Sequence, residues 1–206
     1  MSAQAHWNRL YQTKGPAETS WYEPHLEISL EWIIEAAPDR NASVIDVGGG
    51  ESTLVDDLLA QGYRALTVLD LSETALENAQ RRLGDAARNI AWIPGDAARM
   101  ALPPHAFDLW HDRAVFHFFT DPEERAAYMR RLSASLRHGG QVMMATFGPD
   151  GPEKCSGLPT MRYSADSLSR ELGPEFRLVR QALVDHRTPF GTAQQFLYCQ
   201  FDFRAE

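Results

Sequence analysis

The chain has 206 residues, 44% of them hydrophobic, with 20 Lys+Arg against 28 Asp+Glu and a formal net charge of -8. That is enough apolar content for one compact domain with a sizeable core. The acids are spread along the chain, and such a field repels phosphate backbones, so a nucleic-acid substrate is disfavoured even though a local basic patch can hide in an acidic total.

Two cysteines, Cys155 and Cys199, are too few for a disulfide framework and fit a reducing cytoplasm. The amino terminus lacks a charged start followed by an apolar run, and no stretch approaches about 18 consecutive apolar residues. The expectation is a soluble, cytoplasmic protein with no membrane association.

After an aromatic-bearing start, residues 24–38 (PHLEISLEWIIEAAP) place Leu26, Leu30, Ile33 and Ile34 at helical spacing, with Pro24 in the first turn and Pro38 at the end. Short apolar runs then predict strands over 43–47, 65–70, 89–93, 107–113 and 139–147, each of the kind buried on both faces of a parallel sheet. Between them the pattern predicts helices over 52–62, over 72–84 with Ser72 as cap, and over 121–140. The last has acids in its first turn, bases towards its end and glycine after it, as the helix dipole prefers.

This alternation implies an α/β fold with a doubly wound, Rossmann-like sheet and helices on both faces. Beyond a short helix over 164–172, residues 176–189 and 193–204 read as two strands joined by the turn TPFGT. So short a turn makes them antiparallel, so one of them opposes the rest of the sheet.

Residues 44–53 read VIDVGGGEST. Gly48, Gly49 and Gly50 remove side chains where a backbone must approach a ligand, and they open a helix whose free amides favour negative charge. A dinucleotide dehydrogenase also shows glycines here, but Asp46, two residues before the first of them, would repel a pyrophosphate. Beside the ammonium group of an amino acid the same carboxylate is favourable. That chemistry points to S-adenosylmethionine.

The sequence resembles the class I S-adenosylmethionine-dependent methyltransferases, nearest to the branch with ubiquinone-biosynthesis-type and other small-molecule enzymes. Of that family's first motif, D/E-x-G-x-G-x-G, Asp46, Gly48 and Gly50 match, and Ser52 replaces the last glycine. The similarity runs from Asn41 to Phe147 at motif level. It implies a single methyltransferase domain with a seven-stranded, mostly parallel sheet ending in an antiparallel hairpin: a helical cap over 1–40, a cofactor-binding core over 41–147, and a substrate loop with the terminal hairpin over 148–206.

By the same resemblance Asp70, followed by Leu71 at the end of the second strand, takes the ribose hydroxyls. Asp96, after the third strand, accepts from the adenine amino group, with Ala97 supplying a backbone contact. Each acid alone also reads as a helix cap or turn aspartate. Three at successive strand ends favour the cofactor.

The fourth strand and the segment after it, FDLWHDRAVFHFF, resemble the family's F-D-x-V-x-x-R/x-x-x-L-H-H pattern, with Arg113 and His117 at matching positions and Phe118 in place of the second histidine. Arg113 and His117 are the candidates for catalysis, Arg113 also for cofactor contact and His117 for substrate contact, with His111 and Asp112 as further polar lining. The alternative is that His111 is a satisfied core histidine, that Asp112 and Arg113 pair, and that His117 packs under the following loop. Methyl transfer requires a base only when the acceptor starts protonated, so the lack of an obvious dyad is no objection.

Trp7 and Tyr11, at i,i+4, are expected to pack on the core. The adjacent Trp21 and Tyr22 cannot both face one core and are expected at the acceptor pocket, which this region shapes in the family resembled. The loop over 148–163 leaves the fifth strand at its carboxyl end and carries Cys155, either a substrate contact or an incidental thiol. Cys199 reads as core, and His186 as site rim or exposed turn.

No clustered metal-ligand spacing occurs, so no metal is expected. The chain is expected to methylate a small molecule, since no separate domain is available to recognise a macromolecule. The alternatives are a protein methyltransferase acting on lysine or another side chain, an NAD-dependent dehydrogenase, and a non-catalytic adenosyl-binding protein. The family's adenine- and glutamine-modifying members carry an Asn/Asp-Pro-Pro-aromatic motif after the fourth strand, which HDRAV lacks.

Overall fold

A computed structural model of the protein describes residues 2–204. Helix α1 (Ala3–Thr13) is capped by Ser2, whose hydroxyl accepts from the Ala5 amide, and fully buries none of its side chains. A 3-10 turn (Pro16–Glu18) and a strap of turns and bends then lead to α2 (Glu27–Ala36). The alternating core follows: β1 (Ser43–Val47), α3 (Leu54–Ala60), β2 (Ala65–Asp70), α4 (Glu73–Leu83), β3 (Ile90–Pro94), β4 (Phe107–Arg113), α5 (Pro122–Ser135) and β5 (Leu136–Phe147). A small hairpin of β6 (Lys154–Cys155) and β7 (Leu158–Pro159), helix α6 (Ala165–Leu172), and strands β8 (Phe176–Arg187) and β9 (Ala193–Phe203) complete the chain.

Seven strands form one sheet in the order β3-β2-β1-β4-β5-β9-β8. β1 to β5 are parallel, while β9 runs antiparallel to β5 and β8 antiparallel to β9. β9 is therefore the reversed strand, and β8 runs with the rest. Apolar runs suit the parallel strands because both sheet faces are covered. Successive side chains of β5 enter opposite layers: Met144 joins Trp110, Tyr128 and Phe201, while Met143 joins Ile33, Leu54 and Phe196. Among the described residues no helix is long and apolar enough to cross a membrane.

Two boundaries differ from the sequence pattern. The helix expected from Pro24 starts at Glu27, because the Pro24 carbonyl is held by the Thr53 hydroxyl at 2.7 Å and stays with the strap. The helix expected to reach residue 140 ends at Ser135, where Leu136 turns extended and pairs, fully buried, with Phe107. Leu136 buries more apolar surface in the sheet than one further helical turn would, and Gly139, at φ +76°, allows the irregular pairing beyond it.

The strand order reverses between β1 and β4. At such a switch point the flanking loops splay apart beyond the strands' carboxyl ends, which opens a crevice. The glycine turn after β1 and the HDRAV segment ending β4 meet there.

Candidate active site

All three glycines of the turn are crowded. A Cβ on Gly48, at φ +69°, would stand 1.9 Å from Val115 Cγ2; one on Gly49 would meet Asp46 Oδ2 at 2.6 Å; one on Gly50, at φ +47°, would meet the Tyr11 hydroxyl at 3.0 Å. Both the left-handed backbone and the space select glycine. The Gly48 amide donates to the Leu69 carbonyl at 2.6 Å, which ties the turn to the end of β2.

Asp46 is 5% exposed and lies beside His111 in the β1–β4 register. Its Oδ1 is 2.7 Å from His111 Nδ1, and His111 Nε2 is 2.9 Å from the Ser29 hydroxyl. His111 is therefore a satisfied core histidine that fixes the Asp46 carboxylate and leaves Oδ2 over the glycine turn. Asp70, at the end of β2, accepts from the Ser72 amide at 2.7 Å. Its burial, opposed by that amide and reinforced by the Asp46 charge, pushes its carboxyl up to about 7. Asp96 accepts from the Ala98 amide at 2.9 Å and lies 3.5 Å from Arg99.

A cavity of about 490 Å³ opens over these strand ends, with Asp70, Leu71, Asp96, Ala97, Gly48 and Arg113 in its wall. A smaller recess beside it is lined by Asp46, Gly48, Gly49, Glu51 and Arg113. Tyr11, Trp21, Gly48 and Arg113 border both spaces, so the two adjoin over the turn. Gly50 lines neither and lies under Tyr11.

The donor set fits an adenosyl amino acid. Asp46 faces the recess where an ammonium would be neutralised, and Asp70 offers a carboxylate to hydroxyls. A pyrophosphate would meet Asp46, Glu51 and Asp70, while the lining cations Arg113 and Arg99 are paired with Glu23 and with Asp96 and Glu124.

Arg113 grips the strap. Its guanidinium donates to the Tyr198 hydroxyl at 3.0 Å, the Trp21 carbonyl at 2.9 Å and Glu23 Oε1 at 3.0 Å. His186, buried on β8, holds the same Glu23 oxygen at 2.7 Å through Nδ1 and reaches the Ser20 carbonyl at 2.7 Å through Nε2. Burial pushes the Glu23 carboxyl up, but the His186 hydrogen bond and the Arg113 charge outweigh it and hold the group below its ordinary value.

The strap thus lays Trp21 across both spaces, with Tyr22 on the recess side only. The expectation that Trp7 and Tyr11 pack on the core is corrected: Trp7 lies 5.7 Å from Trp21 and 5.2 Å from Phe118, Tyr11 lies 6.4 Å from Trp21, and the four rings wall the large cavity. Helix α1 can present them there because Asn8 ties it to the start of α4, accepting from the Ser72 hydroxyl at 2.7 Å.

His117 lines neither space. It is fully buried, stacks on Phe147 at 4.3 Å, and accepts the Phe147 amide at Nδ1. Burial, with the Arg113 charge, lowers its pKa to about 3, so the ring is neutral. It packs beneath the cavity wall, and the expected catalytic and substrate-contact roles have no geometry behind them.

Asp112 does not pair with Arg113 either. It accepts from the Val115 and Phe116 amides and from the Tyr128 hydroxyl, fixing the loop after β4. Cys155 lines the large cavity, 4.0 Å from the Ser20 hydroxyl, with burial raising its thiol. Cys199 is fully buried core. Sequence reasoning passed over Glu23 and Ser29, single polar residues whose partners lie far along the chain, and Phe119, Leu158 and Pro159 of the cavity wall.

A glycine turn at the switch point of this sheet, with acids at three successive strand ends lining the recess and the cavity beside it, is the arrangement of a class I S-adenosylmethionine-dependent methyltransferase, and the chain's similarities to known proteins support that class. A methyltransferase domain matches residues 44–140. Within the family the chain is 26% identical over 146 residues to the eEF1A lysine and N-terminal methyltransferase homolog of Drosophila melanogaster, covering 67% of this chain and 21% of that protein. It is 30% identical over 124 residues to the ubiquinone/menaquinone biosynthesis C-methyltransferase UbiE of Roseobacter denitrificans, covering 59% of this chain and 47% of that one. It therefore spans about a fifth of the first relative and about half of the second.

The fold is shared with Burkholderia thailandensis 1,6-didemethyltoxoflavin-N1-methyltransferase, solved with S-adenosylhomocysteine bound, at a TM-score of 0.68 and 22% identity over 86% of this chain and 77% of that one. S-adenosylmethionine is the cofactor of the family.

Proposed function

We propose that the chain transfers the methyl group of S-adenosylmethionine to a small-molecule acceptor by in-line displacement. The observation that carries this reading is the pair of adjoining spaces from Asp46 to Asp96, bordered by acids on the strand side and roofed by aromatic rings of the chain's own α1 and strap. In this reading Asp46 neutralises the ammonium of the cofactor, and the bare turn at Gly48 and Gly49 admits its backbone-like tail. Asp70 accepts from the ribose hydroxyls, Leu71 packs beside them, and Asp96 with Ala97 reads the adenine edge.

When bound, the cofactor supplies a methyl group already activated on a sulfonium. The chain then has to align an acceptor and exclude water. Trp21 and Cys155 shape the acceptor side, while Tyr22 lines the recess beside Asp46. Arg113 acts as a positioning residue through the strap, and His117 props the loop that carries Phe118.

The small-molecule reading is supported by a roof built from the same chain and by relatives such as the UbiE enzyme. A protein acceptor is the second reading, favoured by the eEF1A methyltransferase relatives and by Glu124 at the cavity beside Asp121 and Glu123.

Incubating the protein with methyl-labelled S-adenosylmethionine and either a low-molecular-weight cell extract or the protein fraction separates the two. The expected outcome is label in small molecules. Label confined to the protein fraction would establish the second reading, and no label in either, with cofactor bound, would make the chain a non-catalytic binder.

A further inference from the structure

The strap that roofs both spaces is held by contacts that a neutral histidine cannot make. His186 on β8 is 4% exposed, with Nδ1 at 2.7 Å from Glu23 Oε1 and Nε2 at 2.7 Å from the Ser20 carbonyl. A backbone carbonyl only accepts, and so does an ionised carboxylate, whereas a neutral imidazole carries a single N–H. With one N–H, one of the two contacts would set a bare lone pair against another. Two such short contacts call for two N–H groups, and therefore for the imidazolium.

Glu23 does not supply the second proton. Burial raises its carboxyl, but the His186 hydrogen bond and the Arg113 charge outweigh it and hold the group below its ordinary value. The same Oε1 also accepts from the Arg113 guanidinium at 3.0 Å.

The groups facing His186 come from four elements. Glu23 stands on the strap; beyond that carboxylate is Arg113 of β4, braced by the Tyr198 hydroxyl of β9, and the Phe196 ring of β9 lies edge-on at 5.9 Å. Cys155 of β6, 4.0 Å from the Ser20 hydroxyl, has its thiol raised by burial and adds no charge. The β8 neighbours Asp185 and Arg187 are exposed on the opposite face of the strand. One carboxylate thus lies between two cations, and the strap carbonyls of Ser20 and Trp21 take further donors from the same pair.

We infer that His186 is the positioning residue of the roof and acts as an imidazolium: the strap closes over the cofactor space with a proton on this ring and loosens when the ring gives it up. The inference goes beyond methyl transfer but rests on that reading for the cofactor's place beneath the strap. Loss of the proton breaks the hold on Ser20 or on Glu23. Trp21, whose ring borders both spaces, lies between those two residues, so either loss frees the segment that carries it.

In water at pH 7.5 about 90% of ordinary histidine side chains are neutral, so an open strap sheds the proton that the closed one keeps. The closed state binds more protons than the open one. Closure is therefore favoured at low pH and weakens by up to about tenfold per unit as pH rises past the ordinary histidine range.

Two measurements on the full chain test this. In protein carrying isotope-labelled histidine, ring-nitrogen NMR at pH 7.5 should show both nitrogens of His186 protonated when S-adenosylhomocysteine saturates the site. In stopped-flow displacement, His186→Gln, which offers an amide donor but no charge, should release S-adenosylhomocysteine faster than the natural chain, and the ratio of the two rates should shrink about threefold or more from pH 6.5 to pH 8. Asp70 and the ligand's own amine titrate in both proteins, so the change in that ratio belongs to the His186 ring.

A neutral His186 tautomer in the saturated protein would overturn the inference. So would a ratio that stays constant with pH, because a merely structural brace would speed release equally at every pH. If His186→Gln does not fold, the NMR measurement on the natural chain decides. A chain that does not bind S-adenosylhomocysteine would sink the methyl-transfer reading instead, and the protonation of His186 would then be read in the unliganded protein, where a neutral ring would overturn the clasp as well.

Discussion

Asp70, the acid proposed to take the ribose hydroxyls, is buried in the cavity wall at the expense of the empty fold. It is 7% exposed, and its carboxyl holds a proton up to about 7 where an unfolded aspartate loses it near 3.8. Between those values the folded state binds the extra proton, so this group's contribution to stability is present below the unfolded value and fades as pH rises through 7.

Asp70→Asn should therefore raise the melting temperature of the unliganded protein at pH 8 and leave it nearly unchanged near pH 4. The same variant should weaken S-adenosylhomocysteine binding by about 1.5–3 kcal/mol, the range for hydrogen bonds to charged groups. Melting curves at the two pH values and a calorimetric titration check both halves. A loss of affinity with no gain in stability at pH 8 would show that the carboxyl is not strained by its burial.

The three acids were legible in the sequence because each is placed by a local rule, the end of a strand. His111 was read as a possible core histidine and His186 as site rim or turn, but their partners could not be read and Glu23 was missed, because these contacts join residues 65 and 163 apart along the chain.

At the scale of elements, the alternating strands and helices could be read from apolar runs and caps. The strap over residues 19–26 could not, since a segment without periodicity gives no signal until the strands that grip it are in place. Arg113 of β4 and His186 of β8 grip it, Tyr198 of β9 braces Arg113, and the Thr53 hydroxyl holds the Pro24 carbonyl. The boundary between α5 and β5 was hidden for a related reason. Local preference favoured helix up to the glycines, and burial of Leu136 in the sheet overrode it.

The strap's clasp depends on a charged Glu23 that satisfies two donors at once. Glu23→Gln keeps the size but removes the charge. It should cost about 1.5–3 kcal/mol of stability and speed release of S-adenosylhomocysteine in a stopped-flow displacement experiment. Unchanged release with reduced stability would mean that the strap braces the fold without closing the site.

Over the whole molecule, the doubly wound sheet and a terminal hairpin with one reversed strand were foreseen, and the structure makes that strand β9. The identity of the wall was not foreseen: α1 folds back from the far end of the chain to set Trp7 and Tyr11 over the glycine turn, and no rule of spacing connects residue 11 with Gly50. What the assembled molecule presents is a field. Asp46, Glu51 and Asp70 crowd one end of the crevice, and its lining cation there, Arg113, is bound to the strap.

That arrangement selects a ligand with a positive tail and hydroxyls, and it rejects one with phosphates. The direct measurement is a calorimetric titration of the protein, and of Asp46→Asn, with S-adenosylhomocysteine and with NAD. Asparagine is the informative substitution because it keeps an acceptor for the buried His111 ring while losing the charge. The expected result is that S-adenosylhomocysteine binds, that Asp46→Asn weakens it at least tenfold with an unchanged melting curve, and that NAD gives no binding heat. Tighter binding of NAD than of S-adenosylhomocysteine, or an Asp46→Asn variant with full affinity, would contradict the role assigned to this carboxylate.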